Sequence, residues 1–150
     1  AHHFASYDAA AALGAYRARF QPSAWRAAPY AILAVAVVAA DSEAEAERLA
    51  SSADLNWLRR TRGEYRPLPS PEEAAAAPMG ERERDLIRKH RRQLFVGTPA
   101  MVKARLDELA MATRADEIMI TSPIYDHAAR KRSYELMADA YEIAPVDSAA

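Results

Sequence analysis

Three short apolar runs alternate along the chain with stretches whose apolar residues recur at helical spacing. The runs cover residues 30–40, 93–96 and 117–121. The first run is apolar on both of its faces, which is typical of a strand buried in a parallel sheet. Because a helical stretch separates each run from the next, we expect three parallel strands that are neighbours in sequence order, with the helices packed outside them.

Each predicted helix has a polar residue that can cap its first turn. The helices are expected to begin at Tyr7 or Asp8, Ser42, Thr98 and Asp126. Hydroxyl and carboxylate oxygens at this position accept hydrogen bonds from backbone amides that lack a partner inside the helix. The second helix is expected to run to about Arg62, because Gly63 suits the position that follows a helix end.

Residues 64–92 interrupt this alternation. Four prolines lie between residues 64 and 79, and this stretch predicts a loop. The charged segment 81–92 alternates acids and bases, which predicts a solvated helix; a basic lid that faces a substrate is the alternative. We interpret residues 64–92 as an insertion, with loop and charged helix, within a single unit that spans residues 1–150.

The composition narrows the class of protein. The chain has 150 residues, of which 51% are hydrophobic and 27% charged, and this is enough for one domain with a core. The net charge of −1 leaves no basic surface typical of nucleic-acid binding. The absence of cysteine excludes disulfides and thiolate catalysis. The longest apolar run is too short to cross a bilayer and no signal peptide is recognisable, so we expect a cytoplasmic protein that does not bind membranes.

Polar residues follow the predicted strands, where α/β proteins build their sites. His2 and His3 with Ser6 could hold a phosphate beside a helix start, or they could form an ordinary polar cluster. Adjacent strand residues point to opposite sides, so we expect no metal site there. Thr98 is explained by helix capping, and phosphate binding at the same helix end is the alternative.

A third polar cluster follows the last strand. It contains Ser122, Asp126 and His127. The adjacent acid and imidazole suggest a proton relay, although neighbouring residues rarely adopt triad geometry. Because the chain lacks the Gly-x-Ser-x-Gly elbow and the glycine-rich nucleotide fingerprints, hydrolase and dinucleotide-binding functions are not favoured. No catalytic residue is assigned from the sequence.

Three segments, taken in order, resemble the bacterial-luciferase-like flavin-dependent monooxygenases. They are the stretch from Ala1 to Ala5, the stretch from Phe95 to Pro99 with Val102 and Leu106, and the stretch from Ile118 to Arg130 with the residues from Ser133 to Leu136. They are similar to the end of the family's fifth strand, its penultimate βα unit, and its last strand and helix. His2 departs from the pattern, because the family more often has serine there.

The resemblance implies the fold and activity of the family. The fold would be part of a (β/α)8 TIM barrel, namely the C-terminal strands and helices, because a complete barrel needs roughly 250 residues. The activity would be oxidation of an unknown small organic substrate by O2 and reduced FMN, supplied by a separate flavin reductase; a deazaflavin is less favoured. The phosphate would lie near His2, His3, Ser6 and Thr98. The full-length protein would be the enzyme, and the isolated fragment would be inactive.

Two other functions remain open. The first is a non-enzymatic half-barrel α/β protein that acts through self-association or a partner subunit, and a homo-oligomer is expected because open strand edges favour association. The second is a small doubly wound domain that binds a phosphorylated ligand. If the chain is a half-barrel, Ile32, Val96 and Ile120, or their immediate strand neighbours, should face the former barrel interior.

Overall fold

The computed structural model describes residue 1 and residues 8–144. Within them six helices, three strands and one short 3-10 turn, Arg91–Gln93, are formed. In chain order the helices and strands are α1 (Ala9–Arg19), β1 (Ile32–Ala39), α2 (Glu43–Thr61), α3 (Pro71–Ala76), α4 (Glu81–His90), β2 (Leu94–Gly97), α5 (Pro99–Thr113), β3 (Glu117–Thr121) and α6 (His127–Ala140). The fold is therefore mixed α/β, as the alternation of patterns predicts.

The three strands form one parallel sheet, in which β1 lies between the other two. The prediction of parallel pairing is confirmed. The prediction that the strands are neighbours in sequence order is wrong, because β3 pairs with β1 and not with β2. β2 pairs with the carboxyl half of β1, from Ala36 to Ala39, whereas β3 pairs with its amino half, from Ile32 to Ala36.

Polar side chains attach β3 to β1 and explain this order. The carboxylate of Asp116 accepts a hydrogen bond from the Ala31 amide at 2.7 Å, immediately before β3. At the other end of the strand, the Thr121 hydroxyl donates to the Val35 carbonyl at 3.2 Å. Thr121 bonds to the backbone of β1 and Asp116 to that of the residue just before it, contacts that the hydrophobic pattern does not record.

The strand order also decides where the helices lie. The chain leaves β1 towards β2 on one edge and then returns past β1 to β3 on the other. Right-handed crossovers in opposite directions place their helices on opposite faces of a sheet. The helices pack outside the strands as expected, with α2 on one face of the sheet and α1, α5 and α6 on the other.

Two hydrophobic clusters correspond to the two faces. Leu33, Val35 and Val37 of β1 are fully buried against the face that carries α1, α5 and α6. Val38 packs with Val96 of β2 against Leu49 and other small or apolar residues of α2. Alternate residues of a strand point to opposite faces, so both clusters follow from the uninterrupted apolar run.

Part of the α2-side face remains uncovered. Ile32 is 37% exposed and Met119 is 50% exposed, and Ala34, which pairs directly with Met119, is half-buried. We call Ile32, Ala34 and Met119 the open sheet surface. Val96 lies on the same face but is covered by α2. Ile120 packs on the opposite face, so at that position it is the strand neighbour Met119 that lies on the open sheet surface.

The segment 64–92 is more ordered than predicted and is bound to α2. Residues 71–76 form a helix, α3, because Ser70 caps it and Pro71 occupies its first turn; the prediction of a loop throughout residues 64–79 is wrong there. Helix α4 has no buried residue, which confirms a solvated helix. Arginines of α2 and of its C-cap form ion pairs with acids of this segment: Arg48 with Glu72, Arg59 with Glu73 and the C-cap residue Arg62 with Glu83.

Among residues 8–144, no helix is both long enough and apolar enough to cross a membrane.

Candidate functional site

Most of the residues predicted to bind a cofactor cannot be located. His2, His3 and Ser6 lie outside the residues that the structure describes. Thr98 lies at the carboxyl end of β2, and its hydroxyl accepts a hydrogen bond from the Met101 amide at 3.5 Å as the cap of α5. The structure thus accounts for Thr98 as a cap, and its contact with a phosphate stays a prediction.

Ser122 forms hydrogen bonds that hold the fold together. It is buried, and its hydroxyl donates to the Val37 carbonyl at 2.6 Å. The hydroxyl of Ser133, on α6, lies 3.2 Å from that of Ser122 and accepts a hydrogen bond from the Ala39 amide at 3.0 Å. These bonds satisfy buried polar groups at the end of β1 and hold α6 against it.

Asp126 and His127 do not form a proton relay. The Asp126 carboxylate caps α6 by accepting from the Ala129 amide at 2.7 Å. The His127 ring nitrogen Nδ1 lies 2.8 Å from the Arg130 guanidinium instead. Within the described part of the chain, no group of three or more His, Asp or Glu residues could hold a metal ion.

A small cavity opens on the α2-side face of the sheet, beside Ala36. Its volume is about 170 Å³, and we call it the Trp57 cavity. Trp57 of α2 stacks on the ring of His90, with the ring centroids 4.5 Å apart and the planes within 8°. Pro123, which follows β3, contributes an apolar wall. The stacked rings bring together helix α2 and the end of the segment 64–92.

Three side chains of the Trp57 cavity have hydrogen-bond donors that no protein carboxylate or carbonyl within residues 8–144 occupies, namely those of Asn56, Trp57 and Arg60. Asn56 and Arg60 line it together with Trp57 and His90. Among the described residues, neither the Asn56 amide nor the Trp57 indole makes a hydrogen bond, and Arg60 has no carboxylate partner. The cavity lining contains no carboxylate. These groups favour a ligand that accepts hydrogen bonds and carries negative charge.

An ion pair holds His90 in place. The next residue, Arg91, binds both carboxylate oxygens of Asp54 on α2 at 2.7 Å and reaches Glu47 at 3.1 Å. The Asp54 side chain is only 8% exposed, and burial raises the pKa of its carboxyl while the Arg91 guanidinium opposes that shift. Burial, with the nearby charge of Arg91, lowers the pKa of His90, which favours a neutral imidazole against Trp57.

Sequence reasoning did not identify this cavity. The helical spacing of Ala46, Leu49, Ala53 and Trp57 predicts only a buried stripe on α2, and His90 falls in the predicted solvated helix. Trp57 and His90 are far apart in the chain, and neither belongs to a motif with a defined spacing. A half-buried tryptophan beside a long insertion was the only available signal, and it does not distinguish a pocket from a packed core.

Bacterial proteins of known sequence are similar to nearly the whole of this chain. A luciferase-like monooxygenase of Escherichia coli is 36% identical over 142 residues, which cover 95% of this chain and 42% of that protein. The uncharacterised protein YvbT of Bacillus subtilis is 35% identical over 140 residues, which cover 93% of this chain and 42% of that protein. No family model matches the chain.

The solved structures include a similar fold. The crystal structure of apo-MsnO8 matches with a TM-score of 0.84 and 32% identity, over 97% of this chain and 45% of that one. The chain therefore spans less than half the length of these relatives. Over nearly its whole length it is similar to a luciferase-like monooxygenase in sequence and to apo-MsnO8 in structure.

Proposed function

We propose that this chain is the C-terminal part of a flavin-dependent, luciferase-like monooxygenase. The observation that carries the proposal is its 36% identity, over 95% of its length, to the luciferase-like monooxygenase of Escherichia coli. The whole enzyme would use FMN, reduced by a separate flavin reductase, and O2 to oxidise a small organic substrate. The isolated chain would be inactive, because the barrel that encloses the cofactor would be incomplete.

The backbone of Ala1 pairs with the amino half of β1. The Ala1 nitrogen donates to the Ile32 carbonyl at 3.0 Å, and the Ala34 amide donates to the Ala1 carbonyl at 2.9 Å. These bonds lie on the β2 edge of β1, because alternate amides of a strand point to the same edge and the Ala40 amide bonds to Gly97 of β2. Ala1 therefore lies beside the amino half of β1, on the edge whose carboxyl half pairs with β2.

The described residues suit the phosphate of FMN better than its flavin ring. The first turn of α5, which begins after Thr98, contains no acidic residue, so its partial positive charge is available to a phosphate. The cavity of about 170 Å³ is smaller than the roughly 300–1,000 Å³ of typical ligand pockets. The flavin ring would thus need walls from outside the described residues.

The chain would contribute binding and orientation. When bound, reduced FMN would supply the electrons that activate oxygen. Thr98 would orient the phosphate through the helix end that it caps, with His2, His3 and Ser6 as further contacts. The packing of Val38 and Val96 under α2 would keep water from the carboxyl ends of β1 and β2 on that face.

The purified chain is expected not to bind FMN stoichiometrically at sub-micromolar concentrations. Contacts at a helix end alone give weak affinity, since the ring would have no enclosing pocket. Titration of FMN followed by quenching of its fluorescence measures this. Tight stoichiometric binding by the chain alone would contradict the fragment interpretation.

A chimera tests the same proposal by restoring the missing part of the protein. The amino-terminal part of the Escherichia coli protein would be joined to this chain, and the chimera should bind FMN where neither part does. In the chimera, Thr98→Ala should weaken FMN binding, whereas Ser42→Ala removes the equivalent cap of α2 and should not. Both changes should cost about 1 kcal/mol of stability, so a common loss of FMN binding would argue against a phosphate contact at Thr98.

The open sheet surface favours a second candidate function, self-association without catalysis. We expect light scattering on the purified chain to detect dimers or larger species, because uncovered apolar faces and free strand edges promote association. Met119→Lys should reduce the associated fraction, and Met111→Lys, at a 73% exposed position of α5, should not. A well-behaved monomer with cooperative unfolding would contradict the half-barrel picture.

A further inference from the structure

We propose that the Trp57 cavity binds a small aromatic carboxylate, with its ring in the cavity and its carboxylate at Arg60. The binding stands on the geometry of this chain alone. Only the role of the ligand as substrate rests on the proposed monooxygenase function.

The size of the cavity suits a single ring. Its volume is about 170 Å³, and a cavity of about 150 Å³ is enough to hold benzene. Ala36 is half-buried in the strand wall, where a larger side chain would occupy the space. The indole of Trp57, the imidazole of His90 and the ring of Pro123 provide the flat or apolar surfaces that aromatic ligands contact.

The charge of the cavity suits an anion. Arg59 in α2 and Arg62 at its C-cap pair with Glu73 and Glu83, but Arg60 pairs with no carboxylate of the described residues. Its guanidinium lies 5.8 Å from the ring centroid of Tyr65, a contact that leaves its hydrogen-bond donors available. A guanidinium presents donors in the planar arrangement that a carboxylate accepts.

Two neutral donors add to this preference. The Asn56 amide and the Trp57 indole line the same cavity and have no hydrogen-bond partner in the described part of the chain. A carboxylate accepts several hydrogen bonds at once, whereas a cationic ligand would be repelled by Arg60 and would leave the guanidinium and indole donors without an acceptor. No acid in the cavity lining would repel the anion.

The test uses benzoate as the probe and Trp57 as the reporter. The chain has two tryptophans, and Trp25→Phe leaves Trp57 as the single one. Trp25 is 96% exposed, so its replacement should leave the fold intact. Benzoate should change the Trp57 fluorescence saturably, and benzamide, which has the same shape without the charge, should bind at least tenfold more weakly.

Two further variants locate the site. In the Trp25→Phe background, Arg60→Leu should weaken benzoate binding at least tenfold and leave benzamide unchanged, whereas Arg84→Leu removes an exposed charge outside the cavity and should change neither. Ala36→Leu should abolish binding of both probes. Circular dichroism checks each fold, and the arginine pair decides the test if Ala36→Leu does not fold.

The proposal is overturned if benzoate gives no saturable change at millimolar concentrations. Equal affinities for benzoate and benzamide, or equal effects of Arg60→Leu and Arg84→Leu, overturn it as well. The outcome is separate from the FMN experiments, since a chimera that fails to bind FMN contradicts the monooxygenase function and leaves benzoate binding by the chain as it was.

Discussion

Replacing Arg91 with alanine is expected to lower the free energy of unfolding by about 3–5 kcal/mol at neutral pH. Arg91 makes a bidentate ion pair with Asp54, whose side chain is 8% exposed. Its removal leaves a carboxylate buried without a counter-charge, which costs more than the intact pair contributes. Urea denaturation of both proteins, followed by circular dichroism, measures the difference.

This loss should depend on pH with a definite sign. Burial raises the pKa of Asp54 even beside Arg91, and without the guanidinium that shift can only increase. A group whose pKa is higher in the folded state stabilises the fold below its unfolded pKa, and that contribution is lost as the pH rises through the folded pKa. The deficit of Arg91→Ala should therefore be largest at neutral pH and shrink as the pH falls towards about 4.

Arg88 provides the matched control. Its side chain is 67% exposed and, among the residues the structure describes, forms an ion pair only with Asp85 one helical turn away, so Arg88→Ala should cost less than about 1 kcal/mol. In Asp54→Leu the buried carboxylate is absent, and Arg91→Ala should then cost much less than in the native chain. A deficit that is independent of pH, or equal in the two backgrounds, would show that Arg91 acts through packing alone.

Leu33→Ala is expected to destabilise the fold by about 2–5 kcal/mol. Leu33 is fully buried in the central strand, within the cluster that packs α1, α5 and α6 against the sheet. The truncation removes apolar contacts and leaves a cavity that a central strand cannot close by moving. Thermal or urea unfolding of the purified variant measures the cost.

The neighbouring residue is the control for this prediction. Ile32 has a side chain of the same size in the same strand, but it is 37% exposed on the open sheet surface. Ile32→Ala should therefore cost about 1 kcal/mol or less, and it should also reduce any association through that surface. Similar costs for the two variants would mean that the open sheet surface is covered in solution, as a self-associating chain requires.

Local features of this protein could be predicted from the sequence because short-range interactions produce them. Ser42, Thr98 and Asp126 cap helices where their spacing from the following apolar residues indicates. The strands were recognised because a run that is apolar on both faces must be covered on both sides. The helix α3 was missed because its only signals, Ser70 and Pro71, stand among prolines that also predict a loop.

The order of the strands and the candidate site were decided by tertiary structure. The hydrophobic pattern is the same whichever edge of β1 receives β3, and the bonds of Asp116 and Thr121 to the backbone just before β1 and within it are seen only in the folded chain. Trp57 and His90 stack because the ion pair between Arg91 and Asp54, their close neighbours in sequence, brings the two distant segments together. Pairing between distant residues leaves no periodic trace in a sequence, since only residues close along the chain are related by the repeat of a helix or strand.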